Sequence, residues 1–93
     1  MDLEFRDKKL ALVETPDAPK TRLPVSVIES MRNKLRFLRN APDERTISNW
    51  RSLHYEKMEG DQRSIRLNDQ YRLIFEIDTK KNKITVVRVW NHD

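Results

Sequence analysis

Apolar and polar residues alternate along the second half of the chain, which is the pattern of strands buried on one side. The clearest run is residues 71–78. Its apolar positions Leu73, Phe75 and Ile77 are separated by more polar ones, so one face of this strand is expected in the core and the other partly open. The alternation predicts four strands in this half, over about 53–58, 62–67, 71–78 and 84–90.

Short polar segments separate these predicted strands and are suited to turns. Gly60, the only glycine of the chain, lies in the segment 59–61. A tight turn with positive φ favours glycine at such a position. Asn68 and Asp69 begin the next segment, and both residue types tolerate turn geometry. The last strand follows the polar residues 79–82.

The first half of the chain predicts a short strand and two helices. Residues 3–5 alternate between apolar and polar side chains, and Asp7 is placed to cap a short helix behind them. Apolar residues then recur at helical spacing between Pro24 and Arg39, which predicts an amphipathic helix facing the sheet. Its apolar stripe consists of Ile28, Met31, Leu35 and Leu38.

Two segments of the first half predict loops. Residues 15–24 contain Pro16, Pro19 and Pro24, which interrupt regular structure. Residues 43–52 lack a helical stripe, and Trp50 is expected to anchor this loop. The resulting order β-α-α-β-β-β predicts an α+β domain over residues 1–93, with a mostly antiparallel four-stranded sheet and the helices packed on one face.

The composition favours an anionic partner. Lys and Arg outnumber Asp and Glu by 19 to 15, giving a net charge of +4 and a pI near 9.6. Such a surface suits nucleic acid or an acidic protein.

The lack of cysteine excludes disulfides, thiolate–metal sites and a cysteine nucleophile. No apolar run approaches the ~18 residues that span a bilayer and the N-terminus does not resemble a signal peptide, so we expect a cytoplasmic protein without a membrane partner.

Candidate chemistry rests on two histidines and one arginine. His54 and His92 are the only histidines of the chain, and an imidazole exchanges protons near neutral pH. The sequence motifs of zinc peptidases, serine hydrolases and glycine-rich phosphate loops are missing. Arg72 lies in the most apolar predicted strand, so its guanidinium is expected to be held in place as a fork for phosphate. From these residues alone, a solvated basic face and a catalytic site both stay open.

A series of short motifs follows in a distinctive order towards the C-terminus. They are Leu53-His54, Lys57, Gly60, Ser64-Ile65-Arg66, Asn68-Asp69-Gln70-Tyr71-Arg72, Phe75 and His92. Their order and spacing resemble the HigB-like branch of the RelE/ParE toxin superfamily, whose members are small basic RNases with the RelE fold that cleave mRNA in the ribosomal A site. The resemblance implies a catalytic set without metal or other cofactor, made of His54, Lys57, Arg72 and His92.

Cleavage of RNA without a metal ion would give each residue a role. The substrate's 2′-OH would attack the scissile phosphate, with His92 as base and His54 as acid, or the reverse. Arg72 and Lys57 would stabilise the charged phosphorane. The arginines expected to hold the RNA backbone are Arg32, Arg36, Arg39, Arg63 and Arg66.

The family pattern ends in Asp-Tyr-His, whereas this chain has Trp90-Asn91-His92. This departure leaves open which histidine acts as the acid and which as the base.

The implied partners are a cognate antitoxin, encoded beside this gene, and mRNA on the 70S ribosome. Two other functions stay open: a ParE-like inhibitor of DNA gyrase, and a basic binding protein without catalysis.

Overall fold

One five-stranded sheet organises the chain, and the computed structural model describes residues 1–91. The strands are β1 (Asp2–Phe5), β2 (Glu56–Lys57), β3 (Gln62–Arg66), β4 (Tyr71–Asp78) and β5 (Lys83–Asn91). Their order across the sheet is β1-β5-β4-β3-β2, with β1 parallel to β5 and the other neighbours antiparallel. The predicted α+β class and mostly antiparallel sheet are confirmed. The sheet has five strands rather than four, because β1 and all four strands of the second half belong to it.

Helical segments connect the strands. The α-helices are α1 (Val25–Asn40) and α2 (Glu44–Asn49), and 3-10 helices span Lys8–Glu14, Ala18–Thr21 and Arg51–Leu53. Asp7 caps the first 3-10 helix, as predicted, by accepting a hydrogen bond from the Lys9 backbone. Asp43 caps α2 through the backbone N–H of Thr46. Within residues 1–91, none of the helices combines the length and apolar character needed to cross a membrane.

The hydrophobic core lies between the helices and one face of the sheet. The stripe predicted for α1 is buried, and Met31, Leu35 and Leu38 have no exposed surface. These side chains form one cluster with residues of every helical segment and with the inward side chains of β4, namely Leu73, Phe75 and Ile77. The helices therefore pack on a single face, as predicted.

An extra residue in β5 decides which side chains reach the opposite face. Phe75 of β4 pairs with Val86. The preceding residue, Ile74, pairs with Arg88, so Val87 is inserted as a β-bulge. One inserted residue reverses the alternation between the two faces. Val86 is therefore buried in the core before the bulge, and Arg88 is exposed on the other face after it.

We call the face opposite the helices the open face. Its residues at the centre and at one end of the sheet are cross-strand neighbours of β3, β4 and β5, namely Ser64, Arg66, Arg72, Ile74, Arg88 and Trp90. Ile74 is fully buried although it does not belong to the core cluster.

The segment before β3 differs from the predicted strand over 53–58. β2 has two residues, because Leu53 ends a 3-10 helix and His54 takes left-handed backbone angles that no strand accommodates. The turn that follows behaves as predicted, with Gly60 at φ 66°. His54 is therefore a connecting residue at the sheet edge and not a strand residue.

The predicted loop over 43–52 also differs, since it contains α2. The Asp43 cap and the buried Ile47 supply the local and tertiary reasons for a helix of this length. Trp50 follows α2 and packs edge-on against Phe37 of α1, with 4.3 Å between ring centroids. It anchors this segment as predicted, although 43% of its surface stays exposed.

Candidate active site

Arginines of three strands gather at one end of the open face. Arg66 of β3 and Arg72 of β4 are cross-strand partners, and Arg72 also pairs with Trp90 of β5. Arg88 lies in the next row, opposite Ile74. Side chains of one cross-strand row begin about 5 Å apart. Three guanidinium groups and an indole therefore share a small area, which suits the negative backbone of a nucleic acid.

Opposite charges cancel at the other end of this face. Arg6 donates two hydrogen bonds, of 3.0 and 2.6 Å, to the carboxylate of Glu76. Lys83 lies 2.8 Å from the carboxylate of Glu4. Because these cations are paired, the unbalanced positive charge of the open face lies mainly on Arg72 and Arg88 at its arginine end, where Arg66 is itself paired with Asp69.

His54 lies beside this arginine end, at the edge of the sheet. Its φ of 49° and ψ of 51° are left-handed, a region that histidine enters more readily than most side chains. Arg72 Nη2 donates to the carbonyl oxygen of His54 over 2.5 Å. Arg66 Nη1 lies 3.4 Å from the imidazole Nε2. Backbone and ring thus each contact an arginine, while the residue stays exposed.

The Arg72 guanidinium is held on one side and available on the other. Its Nε donates to Ser64 Oγ over 3.1 Å and its Nη2 to the carbonyl oxygen of His54. Ser64 is 2% exposed and offers a fixed acceptor. Nη1 has no hydrogen-bond partner within residues 1–91, so it can donate two hydrogen bonds to a phosphate. The restrained head group predicted for Arg72 is present. We name His54, Ser64, Arg66 and Arg72 the His54 cluster.

Lys57 lies on the other face of the sheet. It is the cross-strand partner of Arg63, and directly opposed residues of antiparallel strands project to the same side. Arg63 reaches the carboxylate of Glu44 in α2, so this is the helix side. Lys57 lines a shallow surface groove there together with Glu44 and Tyr55. Of the predicted catalytic set, the structure brings His54 together with the strand arginine and separates Lys57 from both.

Glu44, Tyr55 and Arg63 form a hydrogen-bonded network beneath α2. Arg63 Nε lies 2.8 Å from the Glu44 carboxylate, and its Nη1 donates to the backbone carbonyls of Gly60 and Gln62. The Tyr55 hydroxyl donates to the same carboxylate. Arg63 is 9% exposed. The sequence analysis predicted that Arg63 contacts RNA. Its donors are instead occupied by α2 and by the β2–β3 turn, so we exclude Arg63 from the residues expected to bind RNA.

The network shifts the ionisation of its two acids in opposite directions. Burial opposes the charged form of Glu44, but hydrogen bonds from Arg63 and Tyr55 outweigh burial and lower the pKa of this carboxyl. Burial raises the pKa of Tyr55, and the neighbouring Glu44 carboxylate raises it further. The arrangement is therefore a charged carboxylate held between a cation and a neutral phenol.

Replacing Glu44 with glutamine should lower the free energy of unfolding at neutral pH by about 1.5–3 kcal/mol, the range for hydrogen bonds to a charged group. The folded-state pKa of Glu44 is lowered. Its carboxylate therefore stabilises the fold above the unfolded pKa of about 4.3, and this contribution is lost as pH falls through the folded value. Urea denaturation of both proteins should show their difference shrinking as the pH falls below about 4.3.

Glu76→Gln is the matched control for this prediction. Glu76 pairs with Arg6, whose side chain is 53% exposed, and exposed pairs contribute little to stability. The control should therefore destabilise the protein less than Glu44→Gln. Equal effects of the two substitutions at every pH would contradict a special role for the network beneath α2.

The arginines predicted along the flank of α1 divide into two kinds. Arg32 donates through Nε to the carbonyl of Val13 over 2.5 Å. Arg39 binds the carboxylate of Glu14 with two nitrogens. Both contacts fasten the Lys8–Glu14 segment to α1, so these guanidinium groups serve the fold. Arg36 lies between them and is exposed, without a hydrogen-bond or ion-pair partner within residues 1–91.

Two residues of the site were not predicted, and one predicted residue lies outside the described range. Arg88 was not named from the sequence, and Ser64 was named only within a motif, without a role. If the alternation that buries Ile84 and Val86 continued, Arg88 would lie in the core. An arginine at such a position is the one sign in the sequence that β5 contains an inserted residue. His92 lies outside residues 1–91. Among the described residues, no group of histidine, aspartate and glutamate is arranged to hold a metal ion.

Comparison with known proteins finds a family that covers almost the whole chain. The sequence pattern of the family described as the RelE-like toxin of the type II toxin–antitoxin system HigB matches residues 3–92. No curated protein matches the chain.

Solved structures share the fold at low sequence identity. A chain of the archaeal RelE–RelB complex from Pyrococcus horikoshii OT3 has a TM-score of 0.68 at 18% identity, covering 98% of this chain and 93% of that chain. The YoeB/ParE toxin from Agrobacterium tumefaciens has a TM-score of 0.63 at 14% identity, covering both chains completely, at 100% each. A chain of the YoeB–YefM complex from Staphylococcus aureus has a TM-score of 0.57 at 15% identity, covering 100% of this chain and 98% of that chain. These similarities establish a common fold.

Proposed function

The chain belongs to the HigB-like family of RelE-like toxins of type II toxin–antitoxin systems, and we propose that it is an endoribonuclease that cleaves mRNA on the ribosome. The observation that carries this proposal is the His54 cluster, where the exposed imidazole of His54 contacts Arg66 and the His54 backbone carbonyl accepts a hydrogen bond from the restrained Arg72. A proton carrier beside fixed cations is what cleavage of a phosphodiester requires.

The proposed reaction uses the substrate's own 2′-OH. A base, which we assign to His92, removes its proton while the 2′-oxygen forms a bond to phosphorus. An acid, which we assign to His54, gives its proton to the 5′-oxygen as the P–O5′ bond breaks. The products are a 2′,3′-cyclic phosphate and a 5′-OH. Both imidazoles return to their starting states when they exchange protons with water.

The arginine end of the open face supplies charge stabilisation. Nη1 of Arg72 would donate to the nonbridging phosphate oxygens, on which negative charge accumulates in the phosphorane. Arg66 and Arg88 would hold the neighbouring phosphates and fix the register of the strand. Lys57 and Arg36 lie away from this end, so we assign them the longer-range attraction of RNA.

Dependence on the ribosome is part of the proposal. The His54 cluster lies on an open sheet surface, and a flexible mRNA would have many unproductive orientations on it. Holding the reacting groups in line accounts for much of the rate enhancement available to any enzyme. We therefore propose that the ribosome presents and orients the codon, while the toxin adds the proton carriers and the cations.

An antitoxin is the second proposed partner. The structures from Pyrococcus horikoshii and Staphylococcus aureus are RelE–RelB and YoeB–YefM complexes. For this chain we propose a small neighbour-encoded protein whose acidic or amphipathic segment binds the basic surface. Such binding would cover the arginine end of the open face and prevent access of mRNA.

A reconstituted translation reaction tests the proposal. Purified protein added to 70S ribosomes should stop synthesis and cut the mRNA, leaving 5′-OH ends detectable by kinase labelling. Preincubation with the neighbour-encoded antitoxin should restore translation. A DNA gyrase supercoiling assay with the same preparation should show no inhibition.

The two assays also separate the alternatives. Inhibition of gyrase without mRNA cleavage would establish the ParE-like function in place of the RNase. Inhibition of neither reaction would establish a basic binding protein without catalysis. Cleavage of free mRNA at the same rate as ribosome-bound mRNA would overturn the ribosome dependence alone.

A further inference from the structure

Arg66 differs from the other two arginines at the arginine end of the open face, because its partner is a carboxylate. Its Nη2 donates to Asp69 Oδ1, and the two residues form an ion pair. Arg72 meets only uncharged oxygen atoms. Neither Arg72 nor Arg88 has an ion-pair partner within residues 1–91. The protein thus neutralises one of the three cations that would attract RNA, and we take this pair as the feature to be explained.

A hydrogen-bonded turn between β3 and β4 presents the Asp69 carboxylate. Asn68 Oδ1 accepts hydrogen bonds from the backbone N–H groups of Gln70 and Tyr71, over 2.9 and 2.8 Å. Side-chain bonds of this kind fix the backbone of a turn. Arg66 Nε donates to the carbonyl oxygen of Asn68 over 3.3 Å. Two adjacent residues of the turn therefore hold the guanidinium.

The turn occupies the edge of Arg66 that would bind a phosphate. The Nε and Nη2 atoms of a guanidinium can grip an oxyanion with two parallel hydrogen bonds, and carboxylate and phosphate both fit this fork. In Arg66 these two atoms meet Asn68 and Asp69. Nη1 faces the imidazole of His54 at 3.4 Å. A phosphate that is to be held by this fork must therefore displace Asp69.

Stability of the fold does not account for the pair. It joins residues three apart, and the side chains of Arg66 and Asp69 are 36% and 90% exposed. Exposed pairs of this kind contribute little to stability. The pair between Arg63 and Glu44 is different, because it joins α2 to β3 with side chains that are 11% and 20% exposed. The effect of Asp69 therefore lies in the charge of the candidate site.

We propose that Asp69 is a specificity-determining residue, which masks Arg66 from free RNA and releases it to a phosphate that the ribosome presents. The inference rests on the proposed function and extends it by naming a residue that disfavours free RNA. A ligand that needs Arg66 binds with an apparent affinity lowered by the fraction of molecules in which the pair is open. A free strand must open the pair while it is still mobile. A codon fixed on the ribosome has its phosphate already in place and competes with Asp69 more effectively.

Binding of free RNA measures the masking directly. Asp69→Asn removes the carboxylate and keeps a residue type that suits the turn. Asp61→Asn is the matched control, since it removes the same charge from an exposed residue before β3, at the opposite end of that strand from Arg66. Each protein is titrated at several salt concentrations with a short single-stranded RNA, in which 2′-O-methyl groups prevent cleavage, and anisotropy of an RNA label reports binding.

Asp69→Asn should bind this RNA about 5-fold more tightly than Asp61→Asn at low salt, the upper range for opening an exposed ion pair. Its log K should also fall more steeply with log salt, by about 0.7, which is the contribution of one more neutralised phosphate on a single strand. Equal affinities and equal slopes in the two variants would overturn the proposal.

A second pair of variants tests whether Asp69 acts through Arg66. In an Arg66→Gln background, Asp69→Asn should change the affinity for the same RNA no more than Asp61→Asn does. An undiminished gain in that background would mean that Asp69 repels RNA by itself, and the masking of Arg66 would be overturned.

Competition on programmed ribosomes tests the specificity. The modified RNA, added as a competitor, should inhibit cleavage of ribosome-bound mRNA at about 5-fold lower concentration in Asp69→Asn than in Asp61→Asn, in proportion to its tighter binding. Cleavage without competitor should stay close to that of Asp61→Asn, because the presented phosphate displaces Asp69 in wild type. Equal sensitivity of the two variants to the competitor would overturn the role of Asp69 in specificity.

These readouts distinguish failure of this inference from failure of the proposed function. A protein that cleaves nothing but binds RNA more tightly as Asp69→Asn keeps the masking of Arg66 and loses the RNase. A protein that cleaves ribosome-bound mRNA, with equal RNA binding by Asp69→Asn and Asp61→Asn, keeps the RNase and loses the masking. Absence of both RNA binding and cleavage would overturn the two together.

Discussion

Substituting His54 with asparagine should slow cleavage of ribosome-bound mRNA by about 10²-fold or more, the lower range for general acid–base catalysis. Asparagine is the informative substitution because His54 has left-handed backbone angles, with φ 49°. Asparagine tolerates this region, whereas alanine would add backbone strain to the loss of the imidazole. The change therefore removes the proton carrier and keeps the loop.

The measurement is a single-turnover cleavage rate across a range of pH. One limb of the wild-type profile should disappear in His54→Asn, and His92→Gln, at a position outside the described residues, should remove the other. Urea denaturation should give the same midpoint for His54→Asn and wild type, since the imidazole is exposed. A normal rate with an unchanged pH profile in His54→Asn would contradict proton transfer by this residue.

Elements whose residues bury a continuous stripe could be predicted from the sequence. The helix α1 and the strand β4 follow from the spacing of Leu35 and Leu38 and from the alternation of Leu73 and Phe75. Burial on one face is a local property of such segments, so a single sequence carries the information. The same holds for the Asp7 cap, where donor and acceptor are two residues apart.

Features that depend on distant partners were not visible in the sequence. Arg63 looked like a surface cation, but it meets Glu44, which is 19 residues away and belongs to a helix that had been predicted as a loop. Arg39 likewise meets Glu14 across 25 residues. No periodicity encodes such pairs, because they depend on how the elements pack.

Which side chains of β5 face the core depends on one inserted residue, and the alternating pattern alone does not reveal it. A regular strand would bury Arg88 and Trp90 together with Val86, and the bulge at Val87 exposes them instead. The sequence therefore predicted which residues belong to the candidate site better than it predicted how they are arranged in space. In particular, it grouped Lys57 with Arg72, although the structure places them on opposite faces.

Arg72→Lys should slow mRNA cleavage by at least ~10-fold, or about 1.4 kcal/mol of transition-state stabilisation, with ribosome binding close to wild type. The guanidinium meets three groups at once, since it donates to Ser64 Oγ and the His54 carbonyl and leaves Nη1 for phosphate. A lysine ammonium keeps the charge but cannot reproduce this planar arrangement. Arg72→Ala should lose about 10²-fold, as expected when a donor to a developing charge is removed.

Two controls separate fixed geometry from general attraction. Arg36→Lys changes an exposed cation on α1 and should leave the cleavage rate unchanged. Ser64→Ala removes the acceptor that orients Arg72 Nε while keeping the guanidinium, so it should slow cleavage by a smaller factor than Arg72→Lys. Long-range attraction is weakened by salt, whereas a directed hydrogen bond to the scissile phosphate is much less so. Equal and salt-sensitive losses in Arg72→Lys and Arg36→Lys, with normal activity in Ser64→Ala, would mean that Arg72 acts only as surface charge, and the binding protein without catalysis would then be the better description.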